Sequence, residues 1–252
     1  MTRNRTTSGA PDANATHPVD MPSPTRRAFP LPLILVLVAV GALFGAIVLL
    51  SRQAAPMSIA PTPPGDSQSH LEQGSALMAQ NLIDRAIDEF QIAVTLDPQS
   101  VKGHFLLGNA YFAQNRLDDA ATEFLRTLEL DPTNIDARSN LGAVYYQRNE
   151  FENAAAEFLR ALQVDPDDAD IRYNLGATYV QQGKYDAGIE QFNKALQLNP
   201  SLARAHFGLG NAYKLSGRRK EAIQALRKFL SMNPSGDDAE LRPYAESLLA
   251  EL

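Results

Sequence analysis

The chain of 252 residues is 44% hydrophobic, carries a formal net charge of -6 with a pI near 5.3, and contains no cysteine. The acidic balance argues against a nucleic-acid binder, which normally presents a basic face. Without cysteine there is no disulfide framework, thiolate metal site, cysteine nucleophile or lipidated cysteine.

Residues 1–28 are rich in Thr, Pro, Ser, Asn and Ala and follow neither a helical nor a strand period, which predicts a disordered tail. Residues 29–51 are predicted as a transmembrane helix. Their 31–50 stretch has no charged residue, and at 1.5 Å per residue it reaches about 30 Å, the thickness of a bilayer core. A cleaved signal fits less well, because Ala55 and Ala60 are each followed by proline. Arg3, Arg5, Arg26 and Arg27 precede the span and Arg52 alone follows closely. That bias predicts a single-pass membrane protein with a cytoplasmic N-terminus and everything after the span on the periplasmic or extracytoplasmic side. Gly41 and Gly45 form a small-xxx-small pair. The plainer reading is a chance pair in a glycine-tolerant helix, but the pair allows a homodimer. Residues 52–66 contain Pro56, Pro61, Pro63 and Pro64 and read as an extended linker.

From residue 67 the chain repeats itself. Pro98, Pro132, Pro166, Pro200 and Pro234 stand 34 residues apart, a period that means a stacked array. Leu107-Gly108 recurs as Leu141-Gly142, Leu175-Gly176 and Leu209-Gly210, each followed three residues after the glycine by Tyr111, Tyr145, Tyr179 or Tyr213. A glycine inside a helix costs about 1 kcal/mol against alanine, so its return in every copy points to a close helix crossing. Ala86, Ala120, Ala154, Gly188 and Ala222 admit a neighbouring helix, and Phe90, Phe124, Phe158, Phe192 and Leu226 fill the gap beside it. Between these stripes only Asn or Gly occurs, at 81, 115, 149, 183 and 217, which predicts a left-handed cap ending the first helix of each pair. The second helix, Asp118 to Leu130 in the second copy, stops where Asp or Asn precedes proline.

Residues matching in type as well as spacing make the pattern resemble the tetratricopeptide repeat (TPR) family over five copies, 67–100, 101–134, 135–168, 169–202 and 203–236. The first is the most divergent, with Gln73 and Leu77 in place of the Leu and Tyr. The resemblance implies an all-α solenoid of helix-turn-helix units. Residues 237–252, with Leu241, Ala245, Leu248, Leu249 and Leu252 on one helical face, are predicted as a capping helix begun by Asp237 and Asp238.

No phosphate loop, HExxH pair or Gly-x-Ser-x-Gly elbow occurs, so the expectation is a protein without catalytic activity or cofactor. His70, His104 and His206 share one repeat position and read as packing between repeats. What the array offers is a groove. Residues three, four and seven apart on the first helices share its concave face: Lys102, Phe105, Asn109 and Phe112; then Asp136, Ser139, Asn140 and Tyr146. The fourth copy gives Asp170, Tyr173, Asn174 and Gln181, and the fifth Arg204, Phe207, Asn211 and Lys214. Rings grip apolar side chains, and amides offer a donor and an acceptor to an extended backbone. For the rings, helix packing is an equal alternative. Asn140 and Asn174, in equivalent places, are similar to the asparagine ladder of glycosyltransferase-associated arrays. Some family members clamp a C-terminal carboxylate instead, but Phe105, Ser139, Tyr173 and Phe207 stand where the first clamp Lys is needed. The resulting expectation is a membrane-anchored scaffold that binds a peptide or protein partner in its groove, in secretion or envelope assembly. The alternative is a non-catalytic docking subunit of a membrane enzyme complex or a cytochrome maturation system.

Overall fold

The structure is a computed structural model that describes residues 65–252. The tail, the 29–51 span with Gly41 and Gly45, and most of the 52–66 linker lie outside the described residues. Among the described residues no helix is long and apolar enough to cross a membrane.

Ten helices form five antiparallel pairs. They are α1 (Ser67–Ala79) with α2 (Ile83–Leu96), α3 (Val101–Ala113) with α4 (Leu117–Leu130), and α5 (Ile135–Gln147) with α6 (Phe151–Val164). α7 (Ala169–Gln181) with α8 (Tyr185–Leu198) and α9 (Ala203–Leu215) with α10 (Arg219–Ser231) complete the array. Each second helix also packs on the first helix of the next pair, and successive first helices touch.

The turn within each pair needs one left-handed residue. Asn81, Asn115 and Asn149 have φ of 59°, 59° and 60°, and Gly183 and Gly217 have 74° and 77°. In the second pair the Asn115 N–H donates to the Phe112 carbonyl at 2.9 Å and the Arg116 N–H to the Tyr111 carbonyl at 2.9 Å, the two bonds that close a Schellman motif. Arg116 is therefore both the residue that seals α3 and the one that starts α4. For that reason α4 begins at Leu117, one residue before the expected Asp118, without a side-chain cap.

The connection between pairs is equally economical. Asp97, Asp131, Asp165 and Asn199 leave the helical region ahead of proline, with φ between -135° and -124°. The carboxylate of Asp131 turns back to accept the Thr133 N–H at 3.1 Å. Three residues after Asp131, Asn134 caps α5 by accepting the Ala137 N–H at 2.9 Å. The fifth stop differs, for Asn233 itself takes a positive φ of 47°.

The close crossing predicted at the glycines is present. A Cβ on Gly108 would lie 2.8 Å from the Phe124 ring, and one on Gly176 would lie 2.9 Å from the Phe192 ring. Those rings, with Phe90 and Phe158, are almost wholly buried at the centre of their repeats. Along the edge formed by the turns, the repeats are stapled together. Asp84 accepts from Gln114, Asp118 pairs with Arg148 at 3.1 Å, and Asp186 pairs with Arg218.

His70 and His104 each pair with a glutamate of their own repeat, and His104 also reaches back to the repeat before it. His104 Nδ1 is 2.6 Å from Glu123 on α4, and its Nε2 is 3.2 Å from the Pro98 carbonyl. Arg138 occupies the same place one repeat on, joining Glu157 at 3.0 Å and the Pro132 carbonyl at 2.7 Å. Each clip ties the two helices of a pair to the incoming proline turn.

The C-terminal segment departs from one continuous helix. Gly236–Leu241 is a 3-10 turn, and α11 (Arg242–Ala250) follows. Pro243 sits in the first turn of α11, where its fixed φ and missing N–H suit a helix start, so the helix begins after the two aspartates rather than at them. Leu241 and Ala245 are buried in a cluster with Phe207 and Phe229 of the last pair.

Candidate functional site

The surface on which the first helices meet one another is built from α3, α5, α7 and α9. Among the described residues, three polar contacts cross it between repeats, one of them between Tyr146 on α5 and Gln181 on α7. The Asn140 amide on α5 donates to Oδ1 of Asn109 on α3 at 2.8 Å. Arg204 on α9 pairs with Asp170 on α7 and holds its guanidinium 5.1 Å from the centre of the Tyr173 ring.

Most of the aromatic residues expected to line this face carry packing instead. Phe112, Tyr146, Tyr173 and Phe207 are 6%, 4%, 7% and 8% exposed. The Tyr173 ring rests on Phe192 at 5.6 Å, Phe207 on Phe229 at 5.6 Å, and Tyr146 meets Phe151 edge-on at 5.4 Å. The reason is geometric: a ring on the first helix reaches the aromatic of its own second helix and is drawn into the repeat core. Phe105, 6.1 Å from Phe124, keeps the same contact but stays half-buried.

Burial governs the titration of these phenols. It pushes the Tyr173 hydroxyl up to about 12, against the opposing pull of Arg204. The Tyr146 hydroxyl is raised further by burial and then by Tyr173, while its hydrogen bond with Gln181 acts in the other direction. Both phenols are neutral at any physiological pH and act as hydrogen-bonding and packing groups.

The remaining residues expected on this face divide by whether they are engaged. Gln181 is held by Tyr146, Arg204 by Asp170, and Lys214 by Glu251 at the end of the C-terminal segment. Lys102 is exposed, and Asn174 and Asn211 are half-buried with side chains that make no hydrogen bond among the described residues. Sequence reasoning missed Gln147. Its amide nitrogen and oxygen are both buried without a partner among the described residues, and it stands one repeat before Gln181. That recurrence of Gln was the available signal. No cluster of three or more His, Asp or Glu that could hold a metal ion occurs among the described residues.

The TPR repeat profile matches residues 74–115, 108–148, 142–183 and 178–217, and a second tetratricopeptide repeat profile matches 203–235. No curated protein matches the sequence. Among solved structures, the MamA protein is similar at 27% identity, with 66% of this chain and 91% of that chain covered and a TM-score of 0.61. MamA residues 41 to the end from Desulfovibrio magneticus RS-1 align at 20% identity over 66% of this chain and 94% of that one, with a TM-score of 0.63. YrrB, described as a TPR protein with an unusual peptide-binding site, aligns at 23% identity over 73% of this chain and 94% of that one, with a TM-score of 0.59. The last two show the fold alone. With matching profiles running from residue 74 to 235 and the repeat geometry intact in all five pairs, the chain belongs to the tetratricopeptide repeat family.

Proposed function

We propose that the protein is an interaction scaffold that holds an extended peptide segment of a partner protein along its first helices, over repeats two to four. The observation that carries this reading is the Asn109–Asn140 couple, bonded at 2.8 Å across two repeats. Each amide is half-buried and fixed by the other, which leaves N–H and carbonyl groups in set directions for a peptide backbone. Asn174 continues the line at the position equivalent to Asn140, with its amide uncommitted. On α3, the helix of Asn109, Phe105 and Lys102 add a half-buried ring and an exposed cation. A peptide-binding site is described for YrrB on the same fold; for this chain the reading rests on its own amides.

In this reading the uncharged 31–50 stretch anchors the chain in a membrane, and the arginine bias places the array on the extracytoplasmic side. The role would be in secretion or envelope assembly, with no chemistry of its own.

The test pairs thermal melting with affinity for peptides selected from a random displayed library. Asn174→Ala should leave the melting temperature unchanged and weaken binding by about two- to tenfold, the worth of one neutral hydrogen bond. Asn140→Ala should lower both, because its amide also joins α3 to α5. If no peptide is selected, or Asn174→Ala binds as wild type does, the groove reading fails.

A further inference from the structure

The last repeat is electrically unlike the others. Residues 203–236 hold seven Lys and Arg against one Glu, whereas 67–100 hold one Arg against five Asp and Glu. Three of the seven cations have partners: Arg204 with Asp170, Lys214 with Glu251 and Arg218 with Asp186. The other four, Arg219, Lys220, Arg227 and Lys228, are exposed on α10 and form no ion pair among the described residues.

Two of these positions go against the repeat. Lys220 stands where the other four repeats carry Asp84, Asp118, Glu152 and Asp186, in the first turn of a helix, where the dipole favours an acid and opposes a cation. Arg219 stands where they carry Ile83, Leu117, Phe151 and Tyr185, each half-buried. Asp84, Asp118 and Asp186 each receive a donor from the next turn, and α10 has no next turn to serve. That frees position 220 of its acid but gives no reason for a lysine. At 100° per residue, Lys220, Gln224, Arg227, Lys228 and Ser231 form one outward stripe, about 16 Å long over its 11 steps, with the exposed Glu221 at its edge. All five side chains are exposed.

We propose that this stripe on α10 is a docking surface for an acidic helix of a partner protein, separate from the first-helix groove. Charge complementarity favours a compact acidic segment over an extended polyanion. Glu221 lies beside the stripe on α10 itself, and residues 237–252, whose helix packs against α10, carry five acids against one Arg, so carboxylates border the basic stripe. Nucleic acid or a plane of anionic lipid would overrun the stripe and meet those carboxylates within about one screening length of 8 to 10 Å. A single helix with acids along one side matches the cations at both ends and stops there.

The test uses the full chain and two fluorescein-labelled helical peptides of identical composition. In one, the glutamates form a single stripe; in the other, they are spread evenly around the helix. The striped peptide should bind at least about tenfold more tightly, and added salt should weaken it as screening shortens. Arg227→Glu/Lys228→Glu should abolish the preference while the melting curve keeps its shape, since both side chains are exposed. Asn174→Ala should leave the preference intact, which separates this surface from the groove. Equal binding of the two peptides, or a preference that survives the charge reversal, overturns the proposal. So does a preference matched by phosphatidylglycerol vesicles that lose binding in the same double variant, which would assign the stripe to a membrane.

Discussion

Gly142 shows how a single absent methyl group sets the distance between two helices. A Cβ there would lie 2.8 Å from Cε1 and 3.0 Å from Cδ1 and Cζ of Phe158. Alanine gains about 1 kcal/mol in helix propensity, but overpacking a filled core costs about 1 to 3 kcal/mol, and Phe158 has nowhere to move because its side chain is almost wholly buried. Gly142→Ala should therefore lower the urea midpoint; an unchanged or higher midpoint would mean that α5 and α6 can part at no cost. The glycine and its facing ring were legible in the sequence because both recur with the repeat. His206 was legible only as a position. It lacks the glutamate that clips His104, since Ala225 occupies that place, and burial followed by the nearby Lys228 holds its pKa below the ordinary 6.5. A depressed histidine favours the neutral form in the folded state, so below about pH 6.5 the unfolded chain takes up more protons and stability falls. The melting temperature of wild type should drop more steeply between pH 7.5 and 5.5 than that of His206→Gln. Parallel profiles would show that His206 is not a source of acid lability.

At the level of elements, the helix–turn–helix unit was readable because its punctuation is chemical. Only Asn and Gly enter the left-handed turn cheaply, and only a residue before proline must leave the helix. The C-terminal segment carries no such repetition, and its apolar spacing alone could not say where α11 starts or which of its contacts matter. Magnitudes separate those contacts. The Lys214–Glu251 pair is more than half exposed at the carboxylate, and an exposed ion pair contributes about 0 to 1 kcal/mol. Leu241 is buried among Phe207, Phe229 and Ala245, where removing a leucine side chain costs about 2 to 5 kcal/mol. Glu251→Gln should thus shift stability by less than about 1 kcal/mol, and Leu241→Ala should shift the last repeat by at least about twice that. The reverse order would make the cap an electrostatic latch. The groove aromatics stayed open between display and packing for a related reason. Helical spacing gives the side of the helix, but the choice between outward display and inward packing is made by the partner ring on the second helix, 34-residue periodicity notwithstanding.

Across the whole array, each pair touches only its neighbours, so stability is a sum of repeat and interface terms rather than one global core. The two ends are then the weak points, and the described C-terminal end is closed by a single short helix. Ala245→Glu places a carboxylate at a fully buried site among Phe207, Phe229 and Leu241. Burying an unpaired charge is costlier than releasing nine helical residues, so the cap should detach instead of admitting it. Hydrogen exchange would read the consequence residue by residue. Protection should vanish over 236–252 and fall over α9 and α10, whose apolar residues lose their cover. α3 to α6, which keep neighbours on both sides, should exchange as in wild type. The freed surface of Phe207, Leu226 and Phe229 should also make the variant aggregate at concentrations where wild type does not. Uniform loss of protection from α1 to α10 would contradict this picture, because it would mean that the five repeats unfold as one cooperative unit and that the cap holds all of them.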